Sequence, residues 1–503
     1  MIFLTSIILL LTAVIVSYIR WRQRYWERKG VPQFDPDLIF GDTKPLLTGS
    51  KSVQGYFQDV YEAGRKKSDK HVGIYNFWQP EYVPIDLNII KRIVTTDFNY
   101  FDARGLYHSK FDKFSENMFT LDGAEWKDRR VKITPTFTSG KIKIMFETVL
   151  EKASELSKAI IREADANKAI AVKELMARYG TDTFASVGFG LECNTLRDAD
   201  NIFRQIGRKA LKPNLIGFFL ELTFPANLLA ACGHTLVPKD VEAYFTNIVS
   251  DTLKFRESND VKRNDFLQLL LQQKKREAGN DGDVVVSDDK KNLTEQEIIN
   301  EAFLFYLVGF ETSAGTMTFA LLELAQNPQM QDKLREEILA NLDKHNGKFT
   351  YESLSEMEYL DRILKETLRK YPVLAVYPRA CSKDYKIPGT DVVLKKGTKV
   401  HIPAIGIHRD PEYYPNPEEF DPERFTPENI AKRPDFAYLP FGEGPRQCIG
   451  MRFARVQTKI GIATSIKDYR ITLDERTQLP LQFDHASIGF TLKKDIMLRF
   501  TKV

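Results

Sequence analysis

The sequence contains few cysteines and no arrangement of them that is typical of a zinc site or a disulfide framework. There are four among 503 residues, namely Cys193, Cys232, Cys381 and Cys448. They lie far apart, with no C-x-x-C pair and no accompanying pair of histidines. A reducing cytosolic environment therefore fits best, and three of the four are expected to be ordinary buried side chains, since free cysteine packs as a small hydrophobe.

Nucleotide-binding and nucleic-acid-binding signatures are also missing. The chain has no G-x-x-x-x-G-K-[ST] segment, no G-x-G-x-x-G after a strand and no internal repeat. Its 72 basic residues are nearly balanced by 68 acidic ones, which leaves a formal net charge of only +4. The total charge therefore gives no support for a nucleic acid or another polyanion as partner.

No linker rich in proline, glycine and serine divides the chain. The sequence is therefore compatible with one large domain as well as with two or three domains. Apolar residues make up 43% of the sequence, enough for a large core. Helical periodicity dominates from about residue 43 to residue 280, and the polar stretch 276–292 is expected to be a surface loop. Turns at Pro388-Gly389 and Lys396-Gly397 indicate short strands. The sequence thus predicts a mainly α fold with small β-sheets.

The N-terminus is an uncharged apolar run. Residues 2–19 would form a helix of about 27 Å, close to the thickness of an endoplasmic reticulum bilayer. A cleaved signal peptide is the alternative, but neither a basic segment before the run nor a small-residue cleavage site after it is present. We therefore expect a transmembrane signal-anchor helix over 1–20, a basic and proline-containing connector over 21–42 and the main domain over 43–503.

Directly after the apolar run comes RWRQRYWERKG, residues 20–30, which carries five basic residues and one acidic residue. By the positive-inside rule this flank lies in the cytoplasm, so that the main domain faces the cytosol. Trp21, Tyr25 and Trp26 suit the headgroup layer of the membrane.

Thr294 and Glu297 form a capping-box pattern, and helical periodicity then continues to Gln326, before Asn327-Pro328. The predicted helix 295–326 is about 48 Å long. Three polar residues, Glu311, Thr312 and Ser313, interrupt its apolar sequence after Gly309-Phe310. A threonine there can bond back to a carbonyl one turn earlier, which bends the helix and opens space, and Gly309 would let this opening form.

The segment FGEGPRQCIG, residues 441–450, places Cys448 in a glycine-rich loop before a predicted helix. Glycine permits unusual backbone angles and the close approach of a flat cofactor, and N–H groups at a helix start stabilise a thiolate. A buried structural cysteine is the alternative. Phe441, Gly444, Arg446, Cys448 and Gly450, however, match the F-x-x-G-x-R-x-C-x-G haem-binding loop, and the chain resembles the cytochrome P450 superfamily.

That resemblance implies a single haem-thiolate monooxygenase domain that binds haem b, with Cys448 as the axial ligand whose thiolate favours O–O bond cleavage. It implies further roles for other matching segments. Glu311 and Thr312 would be the acid–alcohol pair that delivers protons. Val308 stands where the family has Ala or Gly. Glu366, Arg369 and Arg424 would form a buried structural triad, and loss of one member would cost about 3–5 kcal/mol.

The resemblance also implies partners for the haem propionates. Trp126 and Arg130 are four residues apart and match the family's W-x-x-x-R pair, while a surface cation–π pair is the alternative. Arg446, Arg379 and, more weakly, Arg104 would be further partners, and Phe441 would contact the cofactor. Residues expected in the substrate pocket, or else in plain core, are Phe111, Phe114, Phe119, Phe303, Val373, Leu374 and Ile488.

The family pattern implies insertion of one oxygen atom of O₂ into an apolar small molecule, with electrons from NADPH through a flavoprotein reductase, and allows cytochrome b5 as a further donor. A basic set of residues would face the acidic reductase, or would simply be solvated: Lys127, Arg129, Lys132, Arg446, Arg452 and Arg455. The segments TPTFTSGKIK and HRDPEYYPNPEEFDPERF resemble microsomal insect members that clear foreign compounds, so we expect the endoplasmic reticulum membrane as location.

Three alternatives remain open at this point. The first is a hydroxylase of an endogenous hormone or lipid, since an apolar pocket discriminates weakly between substrates. The second is a haem-thiolate isomerase or dehydratase that does not use O₂, against which the Glu311-Thr312 pair argues. The third is a haem-binding sensor without catalytic activity.

Overall fold

The computed structural model describes residues 2–212, 217, 220–221, 224–276, 292–485 and 492–503. The predicted loop 276–292 lies almost entirely outside the described residues. The helices of seven or more residues are Ile2–Arg22, Val53–Lys67, Gly123–Ile133, Ser139–Asp165, Val172–Phe184, Ile202–Leu211, Lys239–Ser258, Phe266–Arg276, Glu295–Gln326, Pro328–Lys344, Glu358–Lys370 and Met451–Ile466. The shorter α-helices are Lys44–Leu47, Leu87–Lys91, Ala226–Ala231, Tyr351–Glu356, Ala404–His408 and Pro427–Lys432.

Glu295–Gln326, called the long helix below, crosses the protein and has the bounds that the sequence predicts. Both hydrogen bonds of the Thr294–Glu297 capping box are present, so the first turn has its free N–H groups satisfied. Most of its residues are buried, because it packs against Val172–Phe184, Lys239–Ser258 and Met451–Ile466. This central helix therefore provides a rigid wall for any site next to it.

Three small sheets complete the architecture. The largest has the strand order β1 (His71–Asn76), β2 (Gln79–Pro84), β7 (Lys399–Ile402) and β4 (Tyr377–Ala380). The second contains β3 (Ile170–Ala171), β9 (Met497–Lys502) and β8 (Tyr469–Leu473), and the third pairs β5 (Tyr385–Lys386) with β6 (Val393–Leu394). The mainly α fold with small sheets is thus confirmed, including the strands around Gly389 and Gly397.

The β1–β2 hairpin was not predicted, since mostly helical periodicity was expected in this region. Its turn is Phe77-Trp78, and Phe77 adopts a positive φ of 55°. Two-residue hairpin turns ordinarily contain Asn or Gly, which accept such angles, so this turn has no recognisable sequence signature. The buried aliphatic and aromatic residues of β1 were the signal available.

Buried apolar residues form two clusters. The larger cluster surrounds the long helix and includes Phe303, Met317 and Ile460. The smaller one lies on the four-stranded sheet and includes Tyr75, Ile402 and Leu439. The segment that carries Cys448 connects the two, so that packing on both sides fixes its position.

The N-terminal helix Ile2–Arg22 has no buried residue, and among the described residues it is the one helix long and apolar enough to span a membrane. Beyond it the chain packs onto the sheet. Trp26 is 0% exposed, and the Gln23 amide donates to the carbonyl oxygens of Asp37 (2.7 Å) and Phe77 (3.2 Å). The expectation that Trp26 lies in the headgroup layer is therefore wrong, because its ring fills the space above Gly73.

Candidate functional site

A cavity of about 280 Å³ lies between the long helix and the Cys448 loop. One wall is a single face of the long helix, whose members recur every three or four residues, as helical geometry requires. These are Leu304, Phe305, Val308, Gly309, Thr312, Ser313 and Thr316. The opposite wall contains Phe441, Cys448 and Ile449. Most of this lining is apolar, so the cavity suits an apolar, planar or small organic guest.

The Cys448 loop is shaped by backbone contacts that glycine alone permits. Gly442 and Gly444 have φ values of 69° and 74°, and a Cβ at Gly444 would meet the carbonyl oxygen of Val94 at 1.8 Å. The Cys448 N–H donates to the carbonyl oxygen of Phe441 at 2.9 Å, which closes the loop. The sulfur is thereby presented to the cavity at the start of helix Met451–Ile466.

The electrostatic environment of Cys448 suits a thiolate that is bound to a cation. Burial raises the pKa of the thiol, while the Gly450 N–H, Arg130 and Arg104 act in the opposite direction. A coordinated metal ion would add a positive charge beside the sulfur and would favour the thiolate over the thiol.

Arg104 and Arg446 line the cavity, while Arg379 lies outside its lining but near both of them. Each of the three has a buried N–H group without a hydrogen-bond partner among the described residues, namely Nε of Arg104, Nε of Arg379 and Nη1 of Arg446. Burial lowers their pKa values to about 10, 9 and 8, respectively, and for Arg379 and Arg446 repulsion from Arg104 is the next cause. Mutually repelling, underbonded guanidinium groups fit the two carboxylates of a haem, which would bond and neutralise them.

Trp126 and Arg130 lie beside this cluster. The Arg446 guanidinium stacks over the Trp126 ring at 4.1 Å and donates to the carbonyl oxygen of Leu121 at 2.7 Å. Arg130 donates to the carbonyl oxygen of Gln447 at 2.9 Å. Trp126, Arg130, Arg446 and Phe441 all line the cavity, so the structure brings these four predicted cofactor contacts together.

The predicted acid–alcohol pair is divided between two environments. Thr312 lines the cavity, and its hydroxyl donates to the carbonyl oxygen of Val308 at 2.6 Å. Glu311 lies outside the lining that the described residues form, and one of its oxygens is 3.0 Å from Lys173 Nζ. The acid thus faces the partly exposed side of the helix, while the alcohol faces the cavity.

The three residues of the predicted structural triad lie together, and two of them are fully buried. Glu366 and Arg369 are both 0% exposed, and two 2.7 Å bonds join the guanidinium to the carboxylate. Arg424 Nε lies 3.5 Å from the same carboxylate, and the Asp421 N–H donates to it at 3.0 Å. Burial raises the pKa of Glu366, against the attraction of Arg369. Arg369 also bonds the carbonyl oxygen of His408 at 3.0 Å, which ties this helix to the segment before the Cys448 loop.

Comparison with known proteins identifies the family. The cytochrome P450 family model matches residues 42–499. The chain is 39% identical to cytochrome P450 6a2 of Drosophila melanogaster, with full coverage of both sequences. It is 40% identical to cytochrome P450 6A1 of Musca domestica, over 97% of this chain and 96% of that one. Cytochrome P450 6k1 of Blattella germanica is 38% identical over 99% and 97%.

The chain belongs to the cytochrome P450 family. Members of this family bind haem and act as monooxygenases, so the sulfur, the underbonded arginines and the apolar cavity have a common explanation. The relatives are insect proteins, which agrees with the resemblance seen in the sequence. The N-terminal apolar helix fits the membrane anchoring of this type of cytochrome P450.

The predicted substrate-pocket residues are only partly at the cavity. Phe119, Val373 and Leu374 line it. Phe111 is 85% exposed, which places it at the surface rather than at the pocket.

Phe114 and Phe303 belong to the core, where their rings pack against each other at 4.6 Å. Among the described residues they do not contribute to the cavity lining. Helix periodicity explains the position of Phe303, because Leu304 and Phe305 occupy the cavity face of the long helix. Ile488 lies outside the described residues.

The basic set expected at the docking surface of the cytochrome P450 is smaller than predicted. Arg129 is buried and pairs with Glu301 (2.8 Å) and Glu297 (2.6 Å). Lys132 pairs with Asp128 at 2.7 Å, and Arg446 is directed inward. These three were assigned wrongly, because their side chains bond to the protein's own acids and carbonyl groups. The exposed or half-buried members that remain are Lys127, Arg452 and Arg455.

Several lining residues were not predicted. Leu364 and Leu368 reach the cavity from the helix of the triad, one turn apart, and Phe137 and Phe184 come from two other helices. Each sits on an apolar helix face that resembles any core face, so only the tertiary arrangement distinguishes them. Tyr377 also lines the cavity, and its position in β4 two residues before Arg379 was the available signal, since alternate residues of a strand share a face.

Proposed function

We propose that this cytochrome P450 is a microsomal monooxygenase that uses NADPH and O₂ to oxygenate apolar small organic molecules, with Cys448 as the haem ligand. The observation that supports it most is the Cys448 sulfur in an apolar cavity lined by Arg104 and Arg446, with Arg379 near them. Each of these arginines has a buried N–H group without a partner in the part of the chain that the structure describes. This combination fits one flat group that has a metal at its centre and carboxylates at its edge.

The protein residues have separate roles in this proposal. Haem supplies the oxygen-activating chemistry when it is bound. Cys448 holds the metal, while Arg104, Arg379 and Arg446 bind the carboxylates and the Trp126 ring supports Arg446. Thr312 holds a proton-carrying hydroxyl at the cavity wall. Glu311 would connect that hydroxyl with solvent, since its side chain is partly exposed.

The substrate class rests on the lining and on the relatives. Phe119, Phe305, Val308, Val373 and Leu374 leave few hydrogen-bonding groups for a polar substrate. Burial of apolar surface then provides most of the binding energy, at about 25 cal/mol per Å². We propose foreign compounds, including plant toxins or insecticides, as substrates. A hormone or lipid hydroxylase is the second candidate, because the same apolar wall would accept those molecules.

Features of the surface support the proposed partner and location. Ile2–Arg22 would cross the endoplasmic reticulum membrane once, with the basic residues after it on the cytosolic side. A flavoprotein reductase would supply electrons, and its acidic surface would contact Lys127, Arg452 and Arg455. Charge reversal at these three should weaken reductase binding and reduce its dependence on salt. Unchanged binding would remove this surface from the proposal.

Oxygen uptake tests the proposed reaction. With a reductase present, the purified protein should consume O₂ in a manner that depends on NADPH. An isomerase, a dehydratase or a sensor would not do so. A screen of apolar compounds for changes in the haem spin state would then identify the substrate class.

Replacement of the ligand tests the proposed metal site. Cys448→Ser should abolish the thiolate signature of the reduced, carbon monoxide-bound spectrum. The matched control is Cys193→Ser, at a cysteine that packs against the core away from the cavity, and it should retain that signature. An unaltered spectrum in Cys448→Ser would mean that another side chain binds the metal.

A further inference from the structure

The peptide group of Leu439 is held from both sides directly before the Cys448 loop. Its N–H donates to Nε2 of His408 at 2.7 Å, and its carbonyl oxygen accepts from the hydroxyl of Tyr377 at 2.6 Å. Both side chains are buried and come from elements far away in the sequence. Neither residue belongs to the ligand set, the triad or the carboxylate-binding arginines described above.

Tyr377 reaches the loop from β4 and contacts it at two points. Besides the bond to Leu439, its ring lies against Gly442, where an added Cβ would be 3.6 Å from Cε1. The Gly442 N–H donates to the same Leu439 carbonyl oxygen at 3.2 Å. The hydroxyl of Tyr377 therefore reinforces the tight turn from Leu439 to Gly442, in which Pro440 has no N–H to contribute.

His408 connects the turn with the buried triad. Its ring accepts a hydrogen bond from the Leu439 N–H through Nε2, which requires the neutral tautomer with hydrogen on Nδ1. Burial, followed by the nearby charge of Arg369, lowers the pKa of His408 to about 3, so the ring remains an acceptor at neutral pH. The carbonyl oxygen of His408 accepts from Arg369 at 3.0 Å, and its ring stacks on Tyr438.

These contacts form a continuous path to the sulfur. The triad fixes His408, which together with Tyr377 fixes the Leu439 peptide. Two residues later the carbonyl oxygen of Phe441 accepts the Cys448 N–H at 2.9 Å. A rotation of the Leu439 peptide would therefore turn the Phe441 carbonyl and displace the cysteine backbone.

We propose that Tyr377 and His408 are positioning residues that clamp the Leu439 peptide and so hold Cys448 in the orientation from which its sulfur binds haem. This inference rests on the proposed ligand role of Cys448. It assigns part of the stability of the thiolate bond to two side chains that are not ligands of the metal, although the ring of Tyr377 also lines the cavity.

Tyr377→Phe removes the hydroxyl and leaves the ring in place. The matched control is Tyr414→Phe, because Tyr414 is also buried and its hydroxyl donates to the carbonyl oxygen of Ala437 at 2.9 Å, two residues before Leu439. The measurement is the rate at which the reduced, carbon monoxide-bound holoenzyme loses its thiolate signature. We expect this loss to be about two- to tenfold faster in Tyr377→Phe, the range for one lost buried hydrogen bond, and unchanged in Tyr414→Phe.

Variants of His408 provide a second and independent test. His408→Phe removes the acceptor and keeps an aromatic ring against Tyr438, so it should accelerate the loss of the thiolate signature. His408→Gln supplies a side-chain oxygen as acceptor and should restore a rate closer to that of the original protein. Hydrogen exchange of the backbone amides in 439–448 should rise in His408→Phe and Tyr377→Phe, since their turn is less constrained.

The outcomes separate this inference from the proposed function. If the unmodified holoenzyme has no thiolate signature, the ligand role of Cys448 fails, and the clamp fails with it. If that signature is present but Tyr377→Phe and Tyr414→Phe lose it at equal rates, the clamp is wrong while the proposed function stands. Equal loss in His408→Phe and His408→Gln, with unchanged exchange in 439–448, would also overturn it.

Discussion

At the residue scale, Thr312 combines a structural and a chemical property. Its hydroxyl hydrogen is directed to the carbonyl oxygen of Val308, so the oxygen keeps lone pairs available on the cavity side of the helix. Such back-bonding is common in helices and by itself says nothing about function, because Thr316 and Thr318 make the same bond. Thr312 differs from Thr318 because Thr312 lines the cavity and Thr318 does not.

Thr312→Ala should therefore uncouple NADPH consumption from product formation. Loss of a positioned proton-transfer group typically costs about 10²–10⁴ in rate, and we expect at least a tenfold fall in product formed per NADPH, with release of hydrogen peroxide. Coupling is measured as product and peroxide against NADPH consumed. Thr318→Ala, which removes the same back-bond away from the cavity, should leave coupling unchanged. Equal coupling in both variants would exclude the role of Thr312.

At the element scale, the long helix explains why glycine stands at position 309. The sequence suggested that Gly309 lets the helix open. The structure has a continuous helix there, and a Cβ at position 309 would meet the ring of Phe184 at 2.5 Å. Close packing between two helices therefore requires this glycine. Gly315, nearly two turns later, has no atom of the described residues within 4 Å of an added Cβ.

The two glycines of the long helix should respond in opposite ways to alanine. Gly309→Ala should destabilise the protein by about 1–3 kcal/mol through overpacking against Phe184. Gly315→Ala should stabilise it by up to about 1 kcal/mol, because alanine favours the helix and meets no neighbour. Chemical unfolding of the holoenzyme measures both. The double variant Gly309→Ala, Phe184→Leu should recover stability, and no recovery would contradict the packing explanation.

At the scale of the whole molecule, the segment between the anchor and the main domain is part of the folded structure. Trp26 is 0% exposed and Val31 is 2% exposed, both in the smaller apolar cluster. The family match begins at residue 42, close to the predicted boundary at 43. In the structure, however, the chain is packed onto the sheet from Gln23 onward.

Truncated variants test whether the stable folded unit begins near residue 23 or near residue 42. A variant that lacks residues 1–22 should keep the stability of the full chain, since Ile2–Arg22 contains no buried residue. A variant that lacks residues 1–41 should be destabilised by at least about 3–5 kcal/mol, the usual cost of removing a buried tryptophan. Thermal or chemical unfolding of the holoenzymes compares them. Equal stability of the two truncations would show that the Trp26 segment contributes nothing.

The dependence of stability on pH follows from buried acids. Burial raises the pKa of Glu301 to about 7, against the attraction of Arg129. The folded protein therefore holds this proton more tightly than the unfolded chain, whose ordinary glutamate pKa is 4.5. The stability that the protonated Glu301 provides is fully present below pH 4.5. As pH rises through the folded-state pKa, the free energy of unfolding falls by up to about 3 kcal/mol.

Glu301→Gln should remove this loss between about pH 5 and about pH 8, as measured by chemical unfolding. The matched control is Glu174→Gln. Burial raises the pKa of Glu174, but ion pairs with Arg204 and Arg208 outweigh it and lower the pKa to about 2. The stability that the ion pairs of Glu174 provide is fully present above the unfolded-state pKa of 4.5 and is lost only as pH falls below it. The unfolding free energy of Glu174→Gln should therefore differ from that of the original protein by a constant amount between about pH 5 and about pH 8.

Local sequence determined the elements whose signals lie within a few residues of each other. The capping box at Thr294, the stop at Asn327-Pro328 and the glycines around Cys448 are of this kind, because backbone geometry restricts which residues can stand there. The family motifs likewise located Cys448, Arg446 and the Glu366–Arg369 pair, since each of these motifs is a short run of neighbouring residues.

Tertiary structure alone decided which apolar faces line the cavity and which charged groups are free. Phe303 and Phe305 are equally hydrophobic, and the rotation of the long helix against its neighbours places only Phe305 at the site. Arg129 meets Glu301 across 172 residues, a contact that no local pattern contains. The clamp on Leu439 has the same origin, since Tyr377 and His408 meet at that peptide only after the sheet and the helices have packed together.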